Sequence, residues 1–415
     1  MGMDVVHARC AALDVSKTDA KVCVRLARAE GGLQERVTTW GAMTRQIMEL
    51  CEYLIAQQVT LVVMEATGDY WKPFYYLLED AGFELVLANA AQVKAMPGRK
   101  SDVSDARWLA DLAAHGLVRA SFVPPEPIRE LRDLTRTRSA LTRDRGREIT
   151  RLEKLLEDAG IKISSVASKT LTVSTREMIE ALIAGQRDPD VLAQMAKTRL
   201  RAKIPQLQEA LIGRFNDHHA FLARMHLRMI DELDAAIAQV EDRIEVMIEP
   251  FRAFLDLITT IPGISTTVAE VVLAETGGDL SVFPTPEQFV SWAGVAPGKN
   301  QSAGRTKPAR ARPGDRHLKA AMGIAAMSVT RTNNTYLAAR YRRIATRRGP
   351  ARALVATQRA MLTAMWHMAH TGEVYHELGP DHFARKRPTY IKNRAIRQLE
   401  TLGYGVTLTQ LPQAS

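Results

Sequence analysis

From Leu207 to Met247, side chains at helical spacing recur with no proline among them. Leu207, Leu211, Phe215, His218, Leu222, Met225, Met229, Leu233, Ala236, Val240, Ile244 and Met247 step by three or four residues. That period is helical, and its regularity predicts a coiled-coil seam. A helix this long does not stand alone: its stripe must meet another helix of the chain, another subunit, or both. The stretch from about Ile128 to Asp158 offers one partner through Leu131, Leu134, Leu141, Ile149, Leu152 and Leu156. A chain of 415 residues exceeds one compact core, so the helical middle separates two further regions.

Before it, strands and helices alternate. Ala11 to Val15 and Ala20 to Leu26 read as a hairpin around Ser16-Lys17-Thr18-Asp19. Thr44 to Gln57 has helical periodicity, Val59 to Met64 is a buried-strand pattern, Trp71 to Ala81 reads as a helix and Phe83 to Ala88 as a strand. A helix from Asp102 to His115 stops at Gly116, and Pro124-Pro125 closes this α/β domain. The region Ile161 to Lys203 is polar and less patterned. After Phe254, Leu257 to Ser265 joins two apolar helical segments through a turn similar to a helix-hairpin-helix, with Ser265 where a second glycine is usual. The expected domains are 1–125, a helical coiled-coil region 126–252, a mainly α domain 253–375 and a basic tail 376–415.

Four acids stand at positions that suit a metal site. Asp14 and Glu65 end predicted strands, while Asp102 and Asp105 share one helix face at i, i+3. Phosphodiester chemistry needs a hard divalent cation to neutralise the attacking and leaving oxygens. Clustered carboxylates hold Mg2+, or Mn2+, with positions left open for substrate. The net charge of +10 suits a polyanionic partner, since each cation set against a phosphate releases counterions. The basic residues concentrate from Lys299 to Arg359 and from Arg385 to Arg397, which favours nucleic acid. Cys10, Cys23 and Cys51 fit neither a disulfide framework nor a zinc site, so a cytoplasmic, nucleoid-associated location is expected. No apolar run reaches the roughly 20 residues that span a bilayer, so no membrane partner is expected.

LDVSK at Asp14, VMEATGDYW at Glu65 and GRKSDVSDARWLADL at Asp102 and Asp105 resemble the three motifs of DEDD transposases of the IS-one-ten type (IS-eleven-eleven-like). IPGISTTVAEVVLAETG, FVSWAGVAPGKNQSAG, PGDRHLKAAM and NTYLAARYRRIATRRG are similar to that family's C-terminal transposase domain. The resemblance implies a RuvC-like, RNase H-like N-terminal domain and assigns a nucleophilic serine to the position of Ser302. It further implies a covalent phosphoserine link to DNA, a homotetramer (or dimer) joined by the long helices, and a guide RNA made by the insertion element.

Around Ser302, Ala303 and Gly304 leave room for a phosphate. Lys299, Arg305, Lys307, Arg310, Arg312 and Arg316 supply cations for a nucleic-acid backbone and for the transition state. Ser265 and Ser291 are the competing serines, with Ser291 expected to pack into the core. The Arg- and Pro-rich stretch Thr306 to Pro313 departs from the family's glycine-and-serine turn. The competing function is a metal-dependent RuvC-like junction-resolving endonuclease that transfers nothing to a serine. An actin-like phosphate loop at LDVSK finds no glycine-rich partner loops, and a non-catalytic scaffold leaves the acids unexplained.

Overall fold

The computed structural model describes residues 5–27, 32–65, 68–89, 102–298, 301–302, 304–306, 311, 313–386 and 388–409, with backbone alone at 102–104, 301–302 and 306. It divides into two compact units, Met1–Val123 and Pro124–Ser415. Helices of seven or more residues are numbered in chain order.

The first unit is built on a five-stranded sheet of β1 (Arg9–Val15), β2 (Asp19–Ala27), β3 (Leu33–Gly41), β4 (Leu61–Glu65) and β5 (Glu84–Ala88), in the order β3-β2-β1-β4-β5. The β1–β2–β3 half is antiparallel, and β4 and β5 continue it parallel to β1. Ser16 closes the first hairpin: its hydroxyl donates to Asp19 Oδ1 at 2.6 Å and accepts from the Thr18 and Asp19 amides. Strand alternation then sorts the side chains into two layers. Leu13, Val22, Val62 and Met64 pack with Ile47, Leu50 and Leu54 of α1 (Thr44–Ala56) and Phe74 of α2 (Trp71–Leu78). Cys10, Ala12, Cys23, Leu61 and Val63 pack with Ala106, Leu109, Ala110 and Ala113 of α3 (Asp102–Ala114). The alanine stripe lets α3 lie close to the sheet. This is the mixed α/β architecture expected from the sequence, with one strand more than the sequence patterning marks. That strand, β3, is an exposed edge whose LQERVTTWG alternates weakly; its charges suit an edge that must not recruit another strand.

The second unit is mainly helical: α4 (Glu126–Asp158), α5 (Val173–Ile183), α6 (Ile204–Ala210), α7 (Asp217–Met247), α8 (Arg252–Thr259), α9 (Thr266–Thr276), α10 (Pro286–Trp292), α11 (Arg316–Thr330), α12 (Tyr336–Arg348), α13 (Pro350–Thr371) and α14 (Pro388–Thr401). A two-stranded hairpin, β6 (Gln301–Ser302) with β7 (Arg305–Thr306), sits between α10 and α11. Two cores hold it. One gathers Leu152, Leu156, Met178, Ile179, Leu182, Leu192, Leu207 and Leu227, so the region read as unpatterned contributes core residues. The other gathers Ile128, Leu131, Ile258, Val272, Phe289, Leu318, Met322, Met361 and Met365.

The helix expected to run unbroken from Leu207 to Met247 is two helices. Asn216 starts α7 as an N-cap, its Oδ1 accepting from the His219 amide at 3.2 Å. Gly213, just before it, passes so close to Ala159 that a Cβ there would lie 2.5 Å from the Ala159 carbonyl oxygen. α4 and α7 pack along each other. In the first half of α7 the buried stripe is Ala220, Ala223, Leu227 and Ile230, one or two positions away from the expected seam. Phe221, Met225 and Met229 are exposed instead.

At the turn between α8 and α9, Gly263 takes φ +92°, and a Cβ there would lie 2.7 Å from the Ala325 carbonyl oxygen of α11. Close packing on α11, rather than a phosphate, accounts for that glycine. Ser265 caps α9, accepting from the Val268 amide at 3.3 Å.

Candidate active site

Asp14 and Glu65 occupy the C-terminal ends of neighbouring parallel strands. The pairing Leu13↔Met64 sets them side by side one step further on, and both are half-buried. Their parity is that of Ala12 and Val63, so they belong to the face covered by α3. α3 runs against β1: the Val6 amide bonds the Ala114 carbonyl at 2.8 Å, and Cys10 Sγ lies 3.6 Å from the Ala110 carbonyl oxygen. From Cys10 to Asp14 a strand advances about 13 Å. From Ala110 back to Asp102 a helix advances about 12 Å. The first turn of α3, with Asp102 and Asp105, therefore lies at the same end of the sheet as Asp14 and Glu65. Asp105 is half-buried; the Asp102 side chain lies outside the described residues. Among the described residues, no three His, Cys, Asp or Glu side chains gather closely enough to hold a metal ion. The shared sheet end and hard oxygen donors suit magnesium or manganese, without a closed cage.

Sequence reasoning missed Lys21. It pairs with Asp14 in the β1–β2 register and so shares its face, while its ammonium bonds Asp19 at 3.0 Å and Thr39 at 3.1 Å. The signal was the four-residue turn, which fixes that register. Two cysteines of the same layer are chemically quiet: burial pushes the Cys10 thiol up to about 11 and the Cys23 thiol up to about 12. At neutral pH neither is a thiolate that would divert a cation.

In the second unit, Ser302 ends β6, and its register partner Arg305 begins β7. The Ser302 side chain lies outside the described residues, as do Lys299, Lys307, Arg310 and Arg312 entirely. Arg305 is exposed, and Arg316 is exposed in the first turn of α11. Ser291, expected in the core, is exposed on α10. With Glu287, Ala296, Pro297, Gly298 and Arg359 of α13, it lines an open cleft of about 520 Å³. Arg359 is a second residue the sequence did not single out, because α13 reaches this cleft only through the fold.

The loop that carries β6 and β7 begins and ends at one place. Gly294 has φ +71°, and a Cβ at Gly314 would lie 2.5 Å from the Gly294 Cα and from the Trp292 carbonyl oxygen. The Asp315 amide donates to that carbonyl at 3.3 Å. Asp315 Oδ1 caps α11, accepting from the His317 and Leu318 amides at 2.9 and 2.7 Å. Its other oxygen lies 3.8 Å from Arg136 of α4. Arg136 grips Glu275 of α9 through two bonds of 2.8 and 2.7 Å, and Arg132 adds a contact of 3.2 Å. Glu275 has no exposed side-chain surface; burial raises its pKa although the arginines oppose this. Arg138 and Glu270 form a second buried pair between the same helices.

Two family models match the chain. One, described as "Transposase" and of the DEDD IS110 type, matches residues 11–161. The other, "Transposase IS116/IS110/IS902 family", matches residues 255–342. The chain is similar to the "Insertion element IS900 uncharacterized 42 kDa protein" of Mycobacterium paratuberculosis, 26% identical over 333 residues, which covers 70% of this chain and 80% of that one. Among solved structures, "Thermus thermophilus RuvC structure" aligns at 15% identity over 27% of this chain and 99% of that chain, with a TM-score of 0.22, too low to bear on the fold. The two family matches fall in order on the acid-bearing sheet and on the helices around the β6–β7 loop; both models describe IS110-type transposases, and the chain is a DNA transposase.

Proposed function

We propose that this transposase cuts and rejoins DNA through Ser302, with Asp14, Glu65, Asp102 and Asp105 as the ligands of a divalent cation. The observation that carries the reading is that Asp14, Glu65 and the first turn of α3 share one end of one sheet face. Like charges brought to one place call for a counter-charge, which a divalent cation would supply. A magnesium or manganese ion held there would neutralise charge on the phosphate oxygens. The strand order, an antiparallel half joined to a parallel half, is compatible with an RNase H-like, RuvC-like domain.

In this reading Ser302 Oγ attacks a DNA phosphorus. The Oγ–P bond forms as the bond from phosphorus to one sugar oxygen breaks, and the serine proton ends on that sugar hydroxyl. Attack by another strand's hydroxyl reverses the bond changes and returns the proton to Ser302, so strands are exchanged without net hydrolysis. Exposed Arg305 and Arg316 meet the phosphates, and Lys299, Lys307, Arg310 and Arg312 extend that set. The organisation that goes with this mechanism is an acid-bearing domain 1–125, a helical region 126–252 that joins subunits, a serine-bearing domain 253–375 and a basic tail 376–415. Support for the joining role comes from the exposed Phe221, Met225 and Met229 on α7. A guide RNA supplies sequence choice, which suits a chain whose candidate contacts are arginines and lysines rather than a base-reading module.

A strand-exchange assay on insertion-element ends tests the reading. Ser302→Ala and Asp14→Asn each abolish exchange while leaving DNA binding in place. Exchange by Ser302→Ala would overturn serine transfer and favour a junction-resolving endonuclease. Exchange by Asp14→Asn would overturn the acid site.

A further inference from the structure

We propose that the crossing of Gly294 and Gly314, locked by Asp315, is a positioning element that aims the Ser302 hairpin; this rests on Ser302 being the nucleophile. A two-stranded hairpin of two residues a side has little core of its own, so its direction is set where the chain leaves and re-enters the helices. Here both ends pass through one point. Gly314 lies against the Gly294 backbone and the Trp292 carbonyl with no space for a Cβ, and Gly294 uses a left-handed backbone open to glycine at no cost.

Asp315 fastens the crossing from three sides. Its amide holds the end of α10, its Oδ1 holds the start of α11, and its Oδ2 faces Arg136. Arg136 is in turn anchored by buried Glu275, so the point where the loop closes is tied to α4 and α9. The capping oxygen is the effective part. The Arg136 contact at 3.8 Å is long and partly exposed, and such pairs contribute little. Displacing a nucleophile by about 1 Å costs on the order of a hundredfold in rate, so a loosened crossing reads out in the chemical step before it reads out in binding.

The test measures covalent protein–DNA adduct formation in a single turnover, at several DNA concentrations, in the full chain. Gly314→Ala and Asp315→Ala lower the rate at saturating DNA by about tenfold or more. The DNA concentration giving half the maximal rate stays as in the unaltered protein. Asp315→Asn restores most of the rate, because its amide oxygen still accepts the two α11 amides. Circular dichroism and the thermal midpoint establish that each variant is folded; if Gly314→Ala does not fold, the two Asp315 variants decide. An unchanged maximal rate in folded Asp315→Ala overturns the proposal, as does failure of Asp315→Asn to restore it, or a loss that lies in DNA affinity alone. Ser302→Ala separates the two levels. An adduct that survives it overturns the nucleophile and the positioning element together, whereas an adduct lost in Ser302→Ala but unaffected by the Asp315 variants overturns only the latter.

Discussion

Glu275 sits in a helical core with no exposed side-chain surface, held by Arg132 and Arg136 from a helix about 140 positions earlier in the chain. Removing one partner of such a group leaves buried charge uncompensated, at a cost of roughly 3–5 kcal/mol. Glu275→Ala is accordingly expected to lower unfolding stability by about 3 kcal/mol, measured by urea titration. His317 gives a pH-dependent companion. Burial, followed by the charge of Arg136, lowers its pKa below the free value of 6.5, against the opposing pull of Asp315. The fold thus prefers the neutral ring. As pH falls through 6.5 the unfolded chain takes up the proton first, so stability falls with pH in that window and is independent of this group above it. His317→Gln should flatten the urea midpoint between pH 7.5 and 5.5 relative to the unaltered protein.

At this scale the elements that carry the four acids were readable, because strand ends and an i, i+3 helix pair are local patterns. Lys21 needed the strand register, and the Arg136–Glu275–Asp315 chain needed the fold itself. No period in the sequence links residues so far apart.

Among the elements, the helices and the buried strands of the first unit followed from apolar spacing, whereas α5 lies in the region read as polar and less patterned. β3 did not follow from it either, since an edge strand with one solvated face carries charge where a period-2 pattern would need apolar residues. The long seam was legible as helix and misleading as one helix. Gly213 and Asn216 break it, and the small residues Ala220 and Ala223, rather than Leu222 and Met225, face inward on α7. The cap at Asn216 holds this start in place. Asn216→Ala is expected to cost about 1 kcal/mol, the usual worth of an N-cap, while Met225→Ala on the exposed side costs less than that by the same thermal or urea measurement.

For the whole molecule, the proposed chemistry is divided between two compact units: hard carboxylates at the end of a sheet in one, and Ser302 of the β6–β7 hairpin in the other. Charge distribution and motif order pointed to nucleic acid before any geometry was known. The close contact between Gly294 and Gly314 was not legible, because it depends on the fold. In the proposed function both sets of residues act on one phosphodiester. This is tested most directly by trapping protein on a labelled DNA end with magnesium present, then mapping the attachment by peptide mass spectrometry. The expected result is a phosphoserine link at Ser302, absent in Ser302→Ala, retained in Ser291→Ala and strongly reduced in Asp14→Asn. Cleaved DNA carrying no attached protein, or attachment at Ser291, would contradict it.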